Sequence, residues 1–224
     1  MSARKKKKIV FVCTGNTCRS PMAQLLLEER LKEENLKGFE VSSAGIAAQK
    51  GDTINPKSAQ TLAEHGIASE GFLSTKLSEK LLVDAFAVVC MTERQREFLM
   101  DMRWNALKKA GKTDSEDVEN NVYSFAELTG YEILDPYGKD IECYRYVYGL
   151  LAAGIPLLID KLNLRAFAQV PAPKKTRKAA ETKKTTEPKK RGRPKKNLSE
   201  TLALVPATPK KRGRPKKSAS ENKS

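Results

Sequence analysis

Short apolar runs rich in β-branched residues recur along much of the chain, separated by longer segments that carry apolar residues at helical spacing. The runs at 9–12 and 85–91 are typical of strands buried in a sheet, and the segments at 39–43 and 122–123 are further strand candidates. The remaining segments predict helices over 20–31, 56–65, 78–82, 92–102 and 141–164, the last with a kink or break near Gly154 because Pro156 interrupts it. Strands that alternate with helices in this way indicate βαβ crossovers, so the pattern predicts an α/β fold with a parallel sheet.

The alternation stops near residue 165, and the composition changes with it. Residues 171–224 carry 19 Lys and Arg against 4 Glu and lack aromatic residues, whereas residues 1–170 carry 23 basic and 23 acidic side chains. Such a basic segment cannot bury enough apolar surface to fold alone. We therefore expect a neutral folded domain over 7–165 and a disordered basic tail over 166–224.

The cysteine content and the length of the apolar runs limit the cellular setting. The four cysteines are too few and too irregularly spaced for a secreted disulfide framework. No apolar run approaches the ~20 residues of a membrane span, and no signal-peptide core follows the basic start. We expect a cytoplasmic protein with no membrane partner, in a reducing environment where a reactive thiol survives.

The turn after the first predicted strand carries the candidate chemistry. It runs from Cys13 to Arg19, and Ser20-Pro21 then opens a helix. The N–H groups of a tight turn and of a helix start converge on one point, which suits a phosphate dianion, and Arg19 adds a planar fork for its oxygens. The same positive field favours the thiolate of Cys13. Cys13 is thus predicted to attack phosphorus and form a phosphocysteine intermediate, with no metal or cofactor.

A second loop, Asp135-Pro136-Tyr137, offers an acid for the leaving group. Asp135 is expected to donate a proton first and then, as a base, to activate the water that hydrolyses phosphocysteine. Pro136 stiffens the backbone beside the carboxylate, and Tyr137 offers an aromatic wall to the substrate. Cys13, Arg19 and Asp135 are therefore the predicted catalytic residues.

The run Val12-Cys13-Thr14-Gly15-Asn16-Thr17-Cys18-Arg19-Ser20-Pro21-Met22-Ala23 resembles the signature of the low-molecular-weight protein tyrosine phosphatases. The resemblance continues through Ser43-Ala44-Gly45, Met91-Thr92 and Asp135-Pro136 and covers roughly residues 8–165. It implies a four-stranded parallel sheet flanked by helices and a phosphorylated protein as substrate. It also implies a phosphate-binding loop that is shaped by hydrogen bonds from Asn16, Ser20 and Ser43. That loop comprises Thr14, Gly15, Asn16, Thr17, Cys18 and Ser20.

Thr17 bears on the choice of substrate. Tyrosine-selective members usually have a bulkier aliphatic residue here, and Gly-Asn-Thr-Cys-Arg-Ser-Pro looks like the bacterial protein arginine phosphatases of the same family. A smaller hydroxylated side chain admits a guanidinium phosphate and offers it a hydrogen bond. Phosphoarginine and phosphotyrosine both stay open as substrates. Cys18 is either a small core residue behind the loop or the partner of Cys13 in a protective disulfide formed under oxidation.

Two other functions compete with this interpretation. Thioredoxin-linked arsenate reductases share the fold and a similar loop, but they need two further redox cysteines near the third strand, where this chain has only Cys90. A DNA-binding protein with a vestigial phosphatase fold draws its support from the tail alone.

The tail contains one eight-residue block twice, Lys-Lys-Arg-Gly-Arg-Pro-Lys-Lys at 189–196 and at 210–217. Arg-Gly-Arg-Pro flanked by lysines resembles the AT-hook, in which glycine lets the backbone enter the narrow minor groove of A·T-rich DNA and the arginines reach along its floor. This predicts AT-rich DNA as a partner and association with the nucleoid or chromatin. General polyanion binding and simple solubilisation are the alternatives, and we expect a monomer. The predicted DNA-binding residues are Arg191, Gly192, Arg193, Pro194, Arg212, Gly213, Arg214 and Pro215.

Overall fold

The computed structural model describes residues 5–111 and 120–168. The two AT-hook-like blocks and the rest of the predicted tail from residue 169 onward lie outside the described residues. Within the described ranges, no helix is both long and apolar enough to cross a bilayer.

The described part of the chain forms four strands and seven helices in the order βαβααβαβααα. The strands are β1 Lys7–Cys13, β2 Phe39–Gly45, β3 Ala87–Cys90 and β4 Val122–Ser124. The helices are α1 Arg19–Glu33, α2 Pro56–Glu64, α3 Glu79–Asp84, α4 Glu93–Lys109, α5 Phe125–Thr129, α6 Ile141–Lys161 and α7 Leu164–Ala168.

All neighbouring strands pair in parallel, in the order β2-β1-β3-β4, which confirms the predicted four-stranded sheet. The chain leaves β1 toward β2 on one side and later returns to place β3 on the other side. The strand order therefore reverses at β1, and such a switch point opens a crevice at the carboxyl ends of the strands. The turn that follows Cys13 lies at this crevice.

The two faces of the sheet are buried in separate apolar layers. Ile9, Phe11 and Cys13 of β1 belong to the core that contains residues of α1, α2, α5 and α6, while Val10 and Val12 belong to the core with residues of α3 and α4. Every residue from Ile9 to Val12 is fully buried. A strand covered on both faces must be apolar at every position, which is why this run lacks the usual polar alternation.

The final helix differs from its prediction. It runs without a break through Pro156 to Lys161, and a separate short helix follows at Leu164. Gly154 is a packing site: a Cβ there would collide with the ring of Phe125. The burial of Ile155, Leu158 and Ile159 in the core compensates for the backbone hydrogen bond that Pro156 removes. The α4 helix also extends further than predicted, to Lys109 rather than 102.

Candidate active site

The segment between β1 and α1 folds into a tight loop around the sulfur of Cys13. Asn16 adopts a left-handed conformation, with φ of 56°, which turns its backbone N–H toward Cys13 Sγ at 3.3 Å. Asn tolerates this conformation better than most residues. Cys18, the N-cap of α1, makes no side-chain capping bond within the described chain. The first amides of α1 are thus left for an anion at the helix start.

Cys13 is 2 % exposed, and its sulfur has a second polar neighbour besides the Asn16 amide. Ser20 Oγ lies 3.0 Å from Cys13 Sγ. Asn16 Nδ2 donates to the same hydroxyl at 2.9 Å. Because that hydroxyl already accepts one hydrogen bond, its own proton is free to point at the sulfur, so Ser20 Oγ can donate a hydrogen bond to Cys13 Sγ.

The side chain of Asn16 is the centre of a buried network that fixes the loop. Its amide nitrogen also donates to Ser43 Oγ at 2.8 Å, and its Oδ1 accepts from the backbone N–H of Thr75 at 2.8 Å. Ser43 in turn donates to Gln24 Oε1 at 2.7 Å. The loop is therefore joined by side-chain hydrogen bonds to α1, to β2 and to the segment before α3. Asn16, Ser20 and Ser43, which were predicted to shape the loop, are all in contact.

Arg19 and Asp135 meet at the rim of the same loop. Arg19 Nη2 lies 2.5 Å from Asp135 Oδ2, with the arginine side chain 5 % exposed and the aspartate 52 % exposed. Arg19 Nε is buried and has no hydrogen-bond partner among the described residues. A buried donor without a partner is costly unless a ligand satisfies it. The guanidinium is consequently suited to an oxyanion that binds both Nε and Nη2.

These groups surround a cavity of about 380 Å³. The phosphate loop provides one wall, and segments 47–52 and 135–137 provide the others. Tyr137 stands at its edge and is 71 % exposed. The lining residues are Cys13, Thr14, Gly15, Thr17, Cys18, Arg19, Ala47, Gln49, Asp52, Asp135 and Tyr137. All three predicted catalytic residues and the predicted substrate wall thus face one cavity.

The other cysteines differ from Cys13 in their surroundings. All four cysteines are free thiols. Burial raises the pKa of Cys18, whose sulfur lies 3.7 Å from Tyr144 Oη and 3.6 Å from Thr17 Oγ1. Burial also raises the pKa of Cys90, to about 12, and Cys90 does not line the cavity. The cavity therefore contains the two loop cysteines and not Cys90, the residue on which the arsenate reductase alternative depended.

Several contacts around the loop were not anticipated from the sequence. Gln95, in the first turn of α4, accepts from the N–H of Met91 at 3.0 Å and donates to Thr14 Oγ1 at 3.2 Å. Gly45, at the end of β2, leaves no room for a side chain because a Cβ there would lie 2.7 Å from the carbonyl oxygen of Thr14. Gly45 is the last residue of β2 and Gln95 lies in the first turn of the helix that follows β3, and these positions near strand ends are the signal that could have marked them. Within the described ranges, no group of three or more His, Cys, Asp or Glu side chains is placed to hold a metal ion.

A buried cysteine and a buried arginine that line one cavity at the carboxyl edge of a parallel sheet define a cysteine-dependent phosphatase. The family comparison agrees. The family described as low molecular weight phosphotyrosine protein phosphatase matches residues 8–167, and the chain belongs to it.

Three relatives illustrate the range of the family. A protein-arginine-phosphatase of Geobacillus stearothermophilus is 34% identical over 156 residues, which make up 70% of this chain and 96% of the relative. The low molecular weight protein-tyrosine-phosphatase Etp of Escherichia coli strain K12 is 31% identical over 152 residues, 67% of this chain and 91% of that protein. A solved structure of the arginine phosphatase YwlE, a cysteine-to-serine variant with a phosphorylated active-site serine, has a TM-score of 0.60 at 30% identity and covers 70% of this chain and 95% of that one. This chain is a protein phosphatase of the same family.

Proposed function

We propose that this phosphatase hydrolyses phosphoarginine in proteins through a phosphocysteine intermediate on Cys13. The observation that carries the proposal is the surroundings of Cys13 Sγ, which lies 3.0 Å from Ser20 Oγ and 3.3 Å from the Asn16 amide. Cys13 shares its cavity with Arg19, whose Nε has no partner within the described residues. The serine that carries phosphate in the YwlE variant replaces the cysteine of that relative.

In the first step the Cys13 thiolate attacks phosphorus and forms an S–P bond. The P–N bond to the arginine breaks, and its electron pair goes to the guanidino nitrogen, which takes a proton from Asp135. In the second step Asp135 accepts a proton from water. The resulting hydroxide attacks phosphorus, the S–P bond breaks, and inorganic phosphate leaves with Cys13 restored as thiolate.

The ion pair between Arg19 and Asp135 must be exchanged during this cycle. Phosphate oxygens compete with the Asp135 carboxylate for Arg19 Nη2, and only phosphate can also use the buried Nε. Substrate binding therefore releases Asp135 from the arginine, on the side of the phosphorus where the leaving group is. After this exchange Asp135 is no longer paired with Arg19 and can act as the acid.

Thr17 supports phosphoarginine over phosphotyrosine. It lines the cavity, and within residues 5–111 and 120–168 its hydroxyl has only the Cys18 thiol, at 3.6 Å, as a hydrogen-bond partner. A hydroxyl at the wall can accept a hydrogen bond from a guanidinium N–H, whereas the ring of phosphotyrosine has no donor to offer. Phosphotyrosine stays the second candidate. It is favoured by the exposed aromatic ring of Tyr137 at the cavity edge and by the similarity to the protein-tyrosine-phosphatase Etp of E. coli.

The test is a paired assay of wild type, Thr17→Ile and Thr17→Val on phosphoarginine and phosphotyrosine peptides. We expect wild type to prefer phosphoarginine. Thr17→Ile, which adds bulk, should shift the preference toward phosphotyrosine, and Thr17→Val, which removes the hydroxyl at nearly constant volume, should lower phosphoarginine turnover alone. An unchanged preference in both variants would contradict the role of Thr17. Cys13→Ser should abolish turnover while phosphate or vanadate still binds.

We further propose that the tail tethers the enzyme to A·T-rich DNA. The support is the sequence: the two identical blocks at 189–196 and 210–217, with Arg-Gly-Arg-Pro flanked by lysines, are suited to a narrow minor groove and to phosphate contacts. Two blocks on one chain gain affinity through effective concentration. The full chain should therefore bind an A·T-rich duplex more tightly than a G·C-rich one over a range of salt concentrations. Equal affinity for both at every salt concentration would reduce the tail to generic positive charge.

A further inference from the structure

One wall of the cavity is formed by a second loop, residues 46–55, which is hydrogen-bonded to the phosphate loop at both ends. The N–H of Ala47 donates to the carbonyl oxygen of Thr14 at 2.9 Å, and the N–H of Asn55 donates to the carbonyl oxygen of Thr17 at 2.8 Å. The two loops therefore form one unit, and residues in the middle of the second loop have a defined position relative to a bound phosphate.

Asp52 lies in the middle of this second loop and lines the cavity. Its backbone is held from both sides: its carbonyl oxygen accepts from the N–H of Ser74 at 2.8 Å, and its N–H donates to the carbonyl oxygen of Gln49 at 3.4 Å. Gly51, just before it, has φ of +95° and donates to the carbonyl oxygen of Ser74 at 3.1 Å. Asp52 thus occupies a fixed place on the rim although its side chain is exposed.

The carboxylate of Asp52 has no ion pair or hydrogen bond among residues 5–111 and 120–168, in contrast to Asp135, which pairs with Arg19. An unneutralised carboxylate in a phosphate-binding cavity repels the dianion and weakens its binding. It becomes favourable only if the substrate also carries positive charge beyond the phosphorus atom. Phosphoarginine has such a group, because a guanidinium with N–H donors is bonded directly to its phosphorus. The aromatic ring of phosphotyrosine has neither charge nor donors.

We propose that Asp52 is a specificity residue that accepts hydrogen bonds from the guanidinium of phosphoarginine and disfavours phosphotyrosine. The inference rests on the proposed function and deepens it. Asp52 then presents its carboxylate to the guanidinium from one wall of the cavity and the Thr17 hydroxyl lies on another, while Asp135 serves as the acid and Arg19 and the loop amides hold the phosphate. The acceptors around the leaving group correspond to the donors of phosphoarginine, and the donors around the phosphate correspond to its oxygens.

The test compares wild type with Asp52→Asn on free phosphoarginine and free phosphotyrosine, so that no neighbouring peptide residue contributes. The amide keeps the size of the side chain and removes its charge. We expect kcat/KM for phosphoarginine to fall about fivefold, the scale of an exposed charge pair, and kcat/KM for phosphotyrosine to hold or rise because a repulsion is removed. Asp84→Asn is the matched control, since Asp84 ends α3 before β3, at the edge of the sheet opposite the cavity, and should change neither value.

Each outcome of this experiment is decisive. An unchanged ratio of the two kcat/KM values in Asp52→Asn, from an enzyme that does hydrolyse phosphoarginine, overturns the inference and leaves the proposed function intact. In a parallel assay on phosphoarginine peptides, an effect that appears only with peptides that have basic residues beside the phosphorylated one, and not with free phosphoarginine, assigns Asp52 to the peptide and also overturns the inference. A wild type that hydrolyses phosphotyrosine alone contradicts the proposed substrate together with the inference.

Discussion

Replacing Gly45 with alanine tests whether the end of β2 sets the position of the phosphate loop. The backbone of Gly45 has no left-handed φ, so the requirement for glycine is one of space. A Cβ would lie 2.7 Å from the Thr14 carbonyl oxygen, 2.9 Å from the Asn16 nitrogen and 2.7 Å from Ala48 Cβ. Two of these three atoms belong to the backbone of the loop that surrounds Cys13, so the strain falls on the catalytic loop.

The size of the effect follows from those distances. Overpacking of this kind costs about 1–3 kcal/mol of unfolding free energy, which a folded domain generally survives. Relief requires the loop to move by several tenths of an ångström, and a displacement of about 1 Å in an active site reduces rates by about 100-fold. We therefore expect Gly45→Ala to lose about 10- to 100-fold in kcat/KM while denaturant unfolding still gives a single cooperative transition.

Two other glycines serve as controls. Gly154→Ala introduces a comparable collision, but with the ring of Phe125 in the core, so it should lower stability and leave kcat near wild type. Gly149→Ala, in the interior of α6 with nothing within 4 Å of the new Cβ, should raise stability by about 0.5–1 kcal/mol. Wild-type kcat/KM in Gly45→Ala, or an equal loss of kcat in Gly154→Ala, would refute the reasoning.

Three further predictions concern the network, a buried thiol and a surface ion pair. Asn16→Ala removes the acceptor of the Thr75 N–H and the donor to Ser20 and Ser43. The free energy of unfolding, measured in urea, should therefore fall by about 2–4 kcal/mol, and kcat/KM should fall with it. An active and stable variant would contradict the role of this network. Because folding raises the pKa of Cys90 to about 12, the native state holds the thiol proton more tightly than the unfolded state does. The free energy of unfolding should therefore decline above about pH 9 with a slope of up to about 1.4 kcal/mol per pH unit, and the slope should be smaller in Cys90→Val. Identical slopes in the two proteins would exclude Cys90 as the cause. Arg145 holds the pKa of Glu64 at about 2. The stabilising contribution of this ion pair is therefore present above about pH 4.5 and is lost as the pH falls toward 2. In Glu64→Gln, the free energy of unfolding should depend less on pH in this acid range.

The parts that could be predicted from the sequence are those specified by local pattern. Continuous apolar runs gave β1 and β3 because both faces of these strands are covered, and the strict order from Cys13 to Arg19 indicated the loop. Its amides, its arginine and its helix start are neighbours in sequence. The chemistry of such a loop needs no long-range information, so its candidate residues could be named beforehand.

The parts that could not be predicted depend on contacts between distant segments. Gln24 and Thr75 join the Asn16 network from positions 8 and 59 residues away, and nothing in their own surroundings in sequence marks them. The helix continues through Pro156 without a break because Ile155, Leu158 and Ile159 are buried in the core, and Gly154 packs against Phe125, 29 residues earlier in the sequence. No pattern in the sequence around Asp52 marks it as a site residue. Only the fold brings it to the cavity.

The central claim, that Cys13 carries the phosphate during turnover, is tested most directly by trapping the intermediate. Wild type and Asp135→Asn would be mixed with phosphoarginine peptide, quenched at intervals of milliseconds to seconds, digested and analysed by mass spectrometry, with Cys13→Ala as the blank. We predict phosphate on the peptide that contains Cys13, transient in wild type, slower both to form and to disappear in Asp135→Asn because both steps lose their proton-transfer group, and absent from the blank. Turnover that proceeds without phosphate ever appearing on Cys13, or that persists in Cys13→Ala, would contradict the account.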